Sequence, residues 1–208
     1  MASSGFDGHY YAVTCAHAPP GRLCVITLAD REHMLAGVGA RWDALRGRRV
    51  FLTGGTGFVG TWLLEAFAHA NGALGLGARL VVLTRDPEHF AERVPHLAHD
   101  PAIDLHRGDI RSFGATEGPF AFAIHAATEA PFVPTPAQPL GALDTDVAGT
   151  RRVLDFARQA GVERLLFTSS GAAYGPQPPA LTHVSETYLG GPLTTDLGAA
   201  YGHGKRLS

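Results

Sequence analysis

From residue 48 onward the chain alternates short apolar runs with longer stretches whose apolar positions recur at helical intervals. Val50, Phe51 and Leu52 read as a buried strand over 50–53, directly followed by a glycine-rich turn. Phe58, Val59, Trp62, Leu63, Ala66 and Phe67 then carry the spacing of a helix that begins near Phe58. Leu80, Val81, Val82 and Leu83 predict a second strand over 79–84. A helix over 87–97 is expected next, with Asp86 as its N-cap and Pro87 at its first position. Further strands are predicted over 103–107, 121–125 and 164–169. Between the last two, Leu143, Val147, Val153, Leu154, Phe156 and Ala157 predict a helix over 140–160 that stops at Gly161.

Strands separated by helices imply an α/β fold, a doubly wound parallel sheet with helices on both faces. The proline-rich stretch 131–139 and the segment 171–198 fit neither element, and loops of such length are usually functional or mobile. Before residue 48 the pattern is weak. Val25 to Leu28 suggests an isolated strand and 42–45 a short helix, so residues 1–47 form an unassigned segment, for which a start at Met34 is one explanation.

Composition places the chain among globular proteins, with 45% hydrophobic and 17% charged residues. A net charge of −2 offers no electrostatic case for nucleic acid or an anionic membrane. No run reaches the roughly 18 apolar residues of a membrane span, and the N-terminus lacks a signal-peptide pattern. Cys15 and Cys24 are the only cysteines and stand in no metal or redox spacing. They read as free thiols in a reducing cytoplasm. The 11 histidines show no ligand spacing, so no metal is expected.

Two motifs carry chemistry. Gly54, Gly57 and Gly60 space a G-x-x-G-x-x-G turn between strand and helix, where bare backbone lets a pyrophosphate approach a helix N-terminus. Tyr201 and Lys205 stand four apart, which puts phenol and ammonium on one helix face. A phenol ordinarily ionises near pH ~10, and a neighbouring ammonium lowers that value. Each motif alone is also met as a tight turn that binds nothing or as an ordinary helix pair. Together, in this order, they point to a nicotinamide-dependent oxidoreductase with a tyrosine acid/base.

The full series of motifs resembles the extended short-chain dehydrogenase/reductases. It comprises the 53–60 turn, Gly108-Asp109-Ile110, His125-Ala126-Ala127-Thr128, Gly149-Thr150, the run from Thr168 to Gly175, and Tyr201 with Lys205. Within that superfamily it is most similar to the NAD-dependent epimerase/dehydratase group acting on nucleotide sugars. The resemblance covers residues 48–208 and implies a Rossmann-like cofactor domain. Gly54, Thr56, Gly57, Phe58, Val59 and Gly60 would form the dinucleotide turn. Asp109 and Ile110 would meet the adenine, and His125, Ala126 and Ala127 would line the cofactor cleft. Ser170, 31 positions before Tyr201, matches the catalytic Ser/Thr, so Ser170, Tyr201 and Lys205 would be the catalytic residues, with Tyr201 and Lys205 also touching cofactor. The implied partner is a nucleotide-sugar-like small molecule, with homodimers among full-length members.

Several positions depart from that pattern. Gly171, Ala172 and Ala173 stand where dehydratases and decarboxylases of the group carry an acidic residue, which favours epimerase or ketoreductase chemistry. Asp146 replaces an asparagine. Arg85 follows the second strand, where many NAD-using relatives have an acidic residue, so the cofactor is NAD or NADP with a lean towards NADP. Lys205 is followed by only three residues, so the chain looks like a cofactor half lacking most of its substrate lobe. The helix bearing Tyr201, with Gly202 and Gly204, is then expected to lack packing partners and fray, with dinucleotide affinity partly retained and turnover lost. Two other readings stay open: an extended reductase of a non-sugar carbonyl or alcohol, and a non-catalytic dinucleotide-binding fragment.

Overall fold

A computed structural model describes residues 26–114, 116, 118–128 and 141–208. Cys15, Cys24 and the proline-rich stretch 131–139 lie outside the described residues. The sheet comprises β1 (Arg49–Thr53), β2 (Arg79–Thr84), β3 (Ile103–Arg107), β4 (Phe122–His125) and β5 (Arg164–Phe167). Its order is β3-β2-β1-β4-β5 and every pairing is parallel. In register, Phe51 faces Val81 on one side and Ala123 on the other.

The two-residue period of the strands sorts their side chains into two cores. Val50, Leu52, Leu80 and Val82 point to one face, where they meet Leu64, Phe67 and Ala70 of α2 (Phe58–Leu74). Phe51, Val81, Leu83 and Ala123 point to the other, against Val153 and Phe156 of α5 (Gly141–Gln159). That second core centres on Phe51, whose ring lies 4.4 Å from Phe156 and 5.5 Å from Phe113 between centroids. Because both faces are covered, the inner strands are continuously apolar, as parallel strands must be.

Two expected elements are corrected. The helix over 87–97 is broken into α3 (Pro87–Arg93) and α4 (Pro95–Ala98). Pro95 supplies no N–H and disfavours helical angles in the residue before it, and Val94 accordingly sits at φ −139°, ψ 63°. Asp86 does cap α3, accepting from the His89 N–H at 2.9 Å. Upstream, Ile26 and Thr27 form no strand. Thr27 caps α1 (Leu28–Val38) in a reciprocal capping box with Asp30, and a 3-10 turn over Gly39–Leu45 follows.

These N-terminal elements dock on the α2 face. Leu35, Trp42 and Leu45 pack on its apolar core. The buried Glu65 of α2 receives Arg31 Nε at 3.3 Å and His96 Nε2 at 2.6 Å. No helix among the described residues is long and apolar enough to cross a membrane.

Candidate active site

The turn after β1 is shaped by close backbone approach. Gly54 sits at φ +75°, and a Cβ there would stand 2.6 Å from the Ala126 carbonyl. A Cβ on Gly60, in the first turn of α2, would overlap the Gly54 carbonyl oxygen. Helix, turn and the strand β4 exit are thereby pressed together at the point where strand order reverses, which is where open α/β sheets leave a crevice. The N-cap of α2 is Gly57, with no side chain to cap the first-turn N–H groups. Those donors face a cavity of about 520 Å³.

Gly54, Thr56, Gly57, Phe58, Val59, Gly60, Arg85, Asp109, Ile110, Ala126 and Ala127 all line that cavity. His125 does not. Its ring is 2% exposed and turned into the core, with Nδ1 2.8 Å from the Thr53 hydroxyl and Nε2 3.0 Å from the Thr150 hydroxyl. Burial, helped by the nearby Lys205 ammonium, pushes its pKa down to about 4, so the ring is neutral at pH 7. His125 therefore braces β4 against β1 and α5, and the expectation that it lines the cleft is corrected.

Gly108, Arg111, Thr128 and Thr145 also line the cavity without having been singled out for it. Arg111 grips both carboxylate oxygens of Asp109, at 2.8 and 2.9 Å, and its own N–H adds a third bond. That grip holds the Asp109 carboxyl at about 2. Their two-residue spacing within an Asx turn was the only available signal. Arg85 is exposed at the cavity edge, with no hydrogen bond or ion pair to its guanidinium among the described residues.

Ser170, Tyr201 and Lys205 do not line that cavity; Ser170 stands just past the end of β5. Ser170 caps the 3-10 turn Gly171–Tyr174, accepting from the Ala172 N–H at 3.2 Å, which leaves its own O–H free to donate. Tyr201 and Lys205 lie on α6 (Ala200–Leu207). This helix does not lack partners. Gly202 and Gly204 are buried where α6 meets the 171–174 turn and α5, and their Cβ atoms would stand 2.6 Å from the Ala172 carbonyl and 3.0 Å from Asp146 Cβ. Both glycines thus let α6 approach closely, and the expectation that this helix lacks packing partners is corrected.

Lys205 is 4% exposed, and its Nζ lies 3.4 Å from Asp146 Oδ1, 3.3 Å from the Thr168 carbonyl and 5.7 Å from the centre of the Tyr201 ring. Thr128 links the cavity to the Asp146–Lys205 pair: it lines the cavity and its hydroxyl reaches Asp146 Oδ1 at 3.3 Å.

The sequence profile of the NAD dependent epimerase/dehydratase family matches residues 50–208. The chain belongs to that family. It is 33% identical over 138 residues to UDP-glucose 4-epimerase 4 of Oryza sativa subsp. japonica, covering 62% of this chain and 36% of that one. It is 30% identical over 160 residues to UDP-glucuronic acid decarboxylase 1 of Arabidopsis thaliana, covering 77% of this chain and 34% of that one. Among solved structures, MoeE5 in complex with UDP-glucose and NAD superposes with a TM-score of 0.58 at 25% identity, over 76% of this chain and 46% of that one. This family member thus spans about a third of the length of the curated relatives it matches.

Proposed function

We propose that the chain is the cofactor-binding and acid/base core of a nucleotide-sugar epimerase or 4-ketoreductase using NAD or NADP. The observation that carries this reading is the junction at Thr128, which lines the glycine-turn cavity and bonds the buried Asp146, itself paired with Lys205 beside the Tyr201 ring. The free first-turn N–H groups of α2 would receive the pyrophosphate, and the loop from Gly108 to Arg111 the adenine side. A nicotinamide dinucleotide supplies the hydride acceptor or donor when bound.

The protein's own residues supply the proton chemistry. The Ser170 O–H is free to donate to a substrate oxygen. Tyr201, with the Lys205 ammonium 5.7 Å from its ring centre, is the group that removes a proton from a sugar hydroxyl as hydride leaves and returns it when hydride comes back. The absence of a carboxylate at Gly171, Ala172 and Ala173 supports epimerisation or ketoreduction over elimination. Arg85, whose exposed guanidinium stands at the cavity edge, favours NADP through a charge-assisted contact to a 2′-phosphate.

The test is titration of the purified chain with NADH and NADPH by fluorescence, followed by assay of UDP- and dTDP-sugars for C4 epimerisation and 4-keto reduction. Dinucleotide binding that is lost on disrupting the Gly54 turn is the expected result. Any turnover should vanish in Tyr201→Phe. Absence of dinucleotide binding, or turnover that survives Tyr201→Phe, would overturn the reading.

A further inference from the structure

Asp146 and Lys205 face each other out of water, their side chains 1% and 2% exposed, on helices α5 and α6. The ammonium is enclosed on every side. From α5 it meets Asp146 Oδ1 at 3.4 Å, and from the end of β5 the Thr168 carbonyl at 3.3 Å and the Phe167 ring at 4.9 Å. From α6 itself the Tyr201 ring stands 5.7 Å away. His125 of β4 is close enough to feel the charge but is neutral above about pH 4. The remaining cation of α6, Arg206, is turned to the Ala173 and Gly190 carbonyls, and His203 to the Leu193 carbonyl. Tyr174 of the neighbouring turn faces Tyr188. Asp146 is therefore the anion against which the lysine is balanced.

We propose that Asp146 is a positioning residue that fixes the Lys205 ammonium beside Tyr201 and offsets part of its charge, thereby setting the pH at which Tyr201 ionises. The proposal rests on the acid/base reading of Tyr201 given above. An ammonium beside a phenol favours the phenolate, whereas a carboxylate on that same ammonium opposes it by like-charge repulsion. In a site this dry neither effect is screened as it would be in water. The Thr128 hydroxyl also holds Oδ1, 3.3 Å away, and the bare backbone of Gly204 leaves room for the carboxylate between the helices. A neutral side chain of the same size would keep an oxygen for Lys205 and remove the opposing charge. Lys205 would keep its contacts to the Thr168 carbonyl, the amide oxygen and two ring faces.

The measurement is a pH titration by NMR of the chain labelled at tyrosine ¹³Cζ, with the Tyr201 signal assigned from its loss in Tyr201→Phe. In Asp146→Asn the Tyr201 midpoint should fall by about one pH unit, which is about tenfold more phenolate at any pH below the midpoint. Asp146→Glu should return it towards the starting value, an outcome that simple loosening of the helix contact would not give. Should Asp146→Asn fail to fold, Asp146→Ser carries the same expectation. A midpoint that is unmoved or raised in the folded neutral variant overturns the proposal. The titration needs neither cofactor nor substrate, so it reads Asp146 even where the functional reading fails. Conversely, an unmoved midpoint leaves dinucleotide binding and the Tyr201→Phe result standing.

Discussion

The Gly54 carbonyl oxygen occupies the space that a Cβ on Gly60 would need, so the first turn of α2 rests directly on the backbone it is meant to serve. The obstruction is main chain and cannot be relieved by rotating a side chain. Gly60→Ala should therefore cost about 1–3 kcal/mol or more through overpacking, and should abolish dinucleotide binding by lifting the α2 N-terminus. Gly72, on the same helix, has nothing within 4 Å of its Cβ position. Gly72→Ala should instead gain roughly 0.5–1 kcal/mol. Thermal unfolding of the two variants should move in opposite directions.

Arg85 offers an exposed guanidinium at the cavity edge, where its charge also acts on Asp109. Arg85→Ala should weaken NADP binding by roughly 10–100-fold, the value of about 1.5–3 kcal/mol for a charge-assisted hydrogen bond. NAD binding should change far less. Calorimetric titration of both cofactors decides this, and equal losses would refute a 2′-phosphate role.

His125 gives the fold an acid sensitivity. Its folded pKa is about 4 against an ordinary 6.5, so between those values the unfolded chain binds the proton and the folded chain does not. Stability is thus fully present above pH ~6.5 and lost as pH falls towards ~4, by about 3 kcal/mol at most. Urea unfolding at stepped pH should show this slope in the natural chain. His125→Gln should flatten it over the same window, at the cost of lower stability at pH 7.

Gly204→Ala separates helix propensity from packing. Propensity alone predicts a gain of ~1 kcal/mol. The added methyl would stand 3.0 Å from Asp146 Cβ and 3.1 Å from Oδ2, pushing apart the helices that hold Lys205. Net destabilisation is expected, accompanied by loss of any turnover, and a rise in melting temperature would show that α6 does not need this close approach.

Arg31 tests whether the N-terminal helix belongs to the folded unit. It pairs with the buried Glu65, whose remaining partner is His96. Arg31→Ala should cost about 1–3 kcal/mol, less than the full loss of a buried pair because Arg31 is partly exposed. Arg41→Ala, on the adjacent exposed turn, serves as the control and should fall within about 0.5 kcal/mol of the natural chain.

Most of the sheet was legible from pattern alone. Runs such as Val50 to Leu52 and Leu80 to Leu83 are too short and too uniformly apolar for anything but strands covered on both faces. The spacing of Phe58 to Phe67 is that of a helix laid on them. The break at Pro95 was legible too, in principle, because a proline restricts its predecessor whatever surrounds it. At Thr27 the same capping side chain that starts α1 sits in a β-prone run, and the local signal for a cap competes with that for a strand.

The sequence by itself determined the order of strands and helices, the glycine turn after β1, and the residue types that could carry proton transfer. These follow from local sterics and periodicity, which act over a few residues. The tertiary structure alone decided which side chains meet. His125 turned inward to serve two hydroxyls, Gly202 and Gly204 became contact points, and Asp146 met Lys205 across 59 positions of chain. Such partnerships depend on how far one helix can approach another, and that distance is fixed by the packing of the whole core.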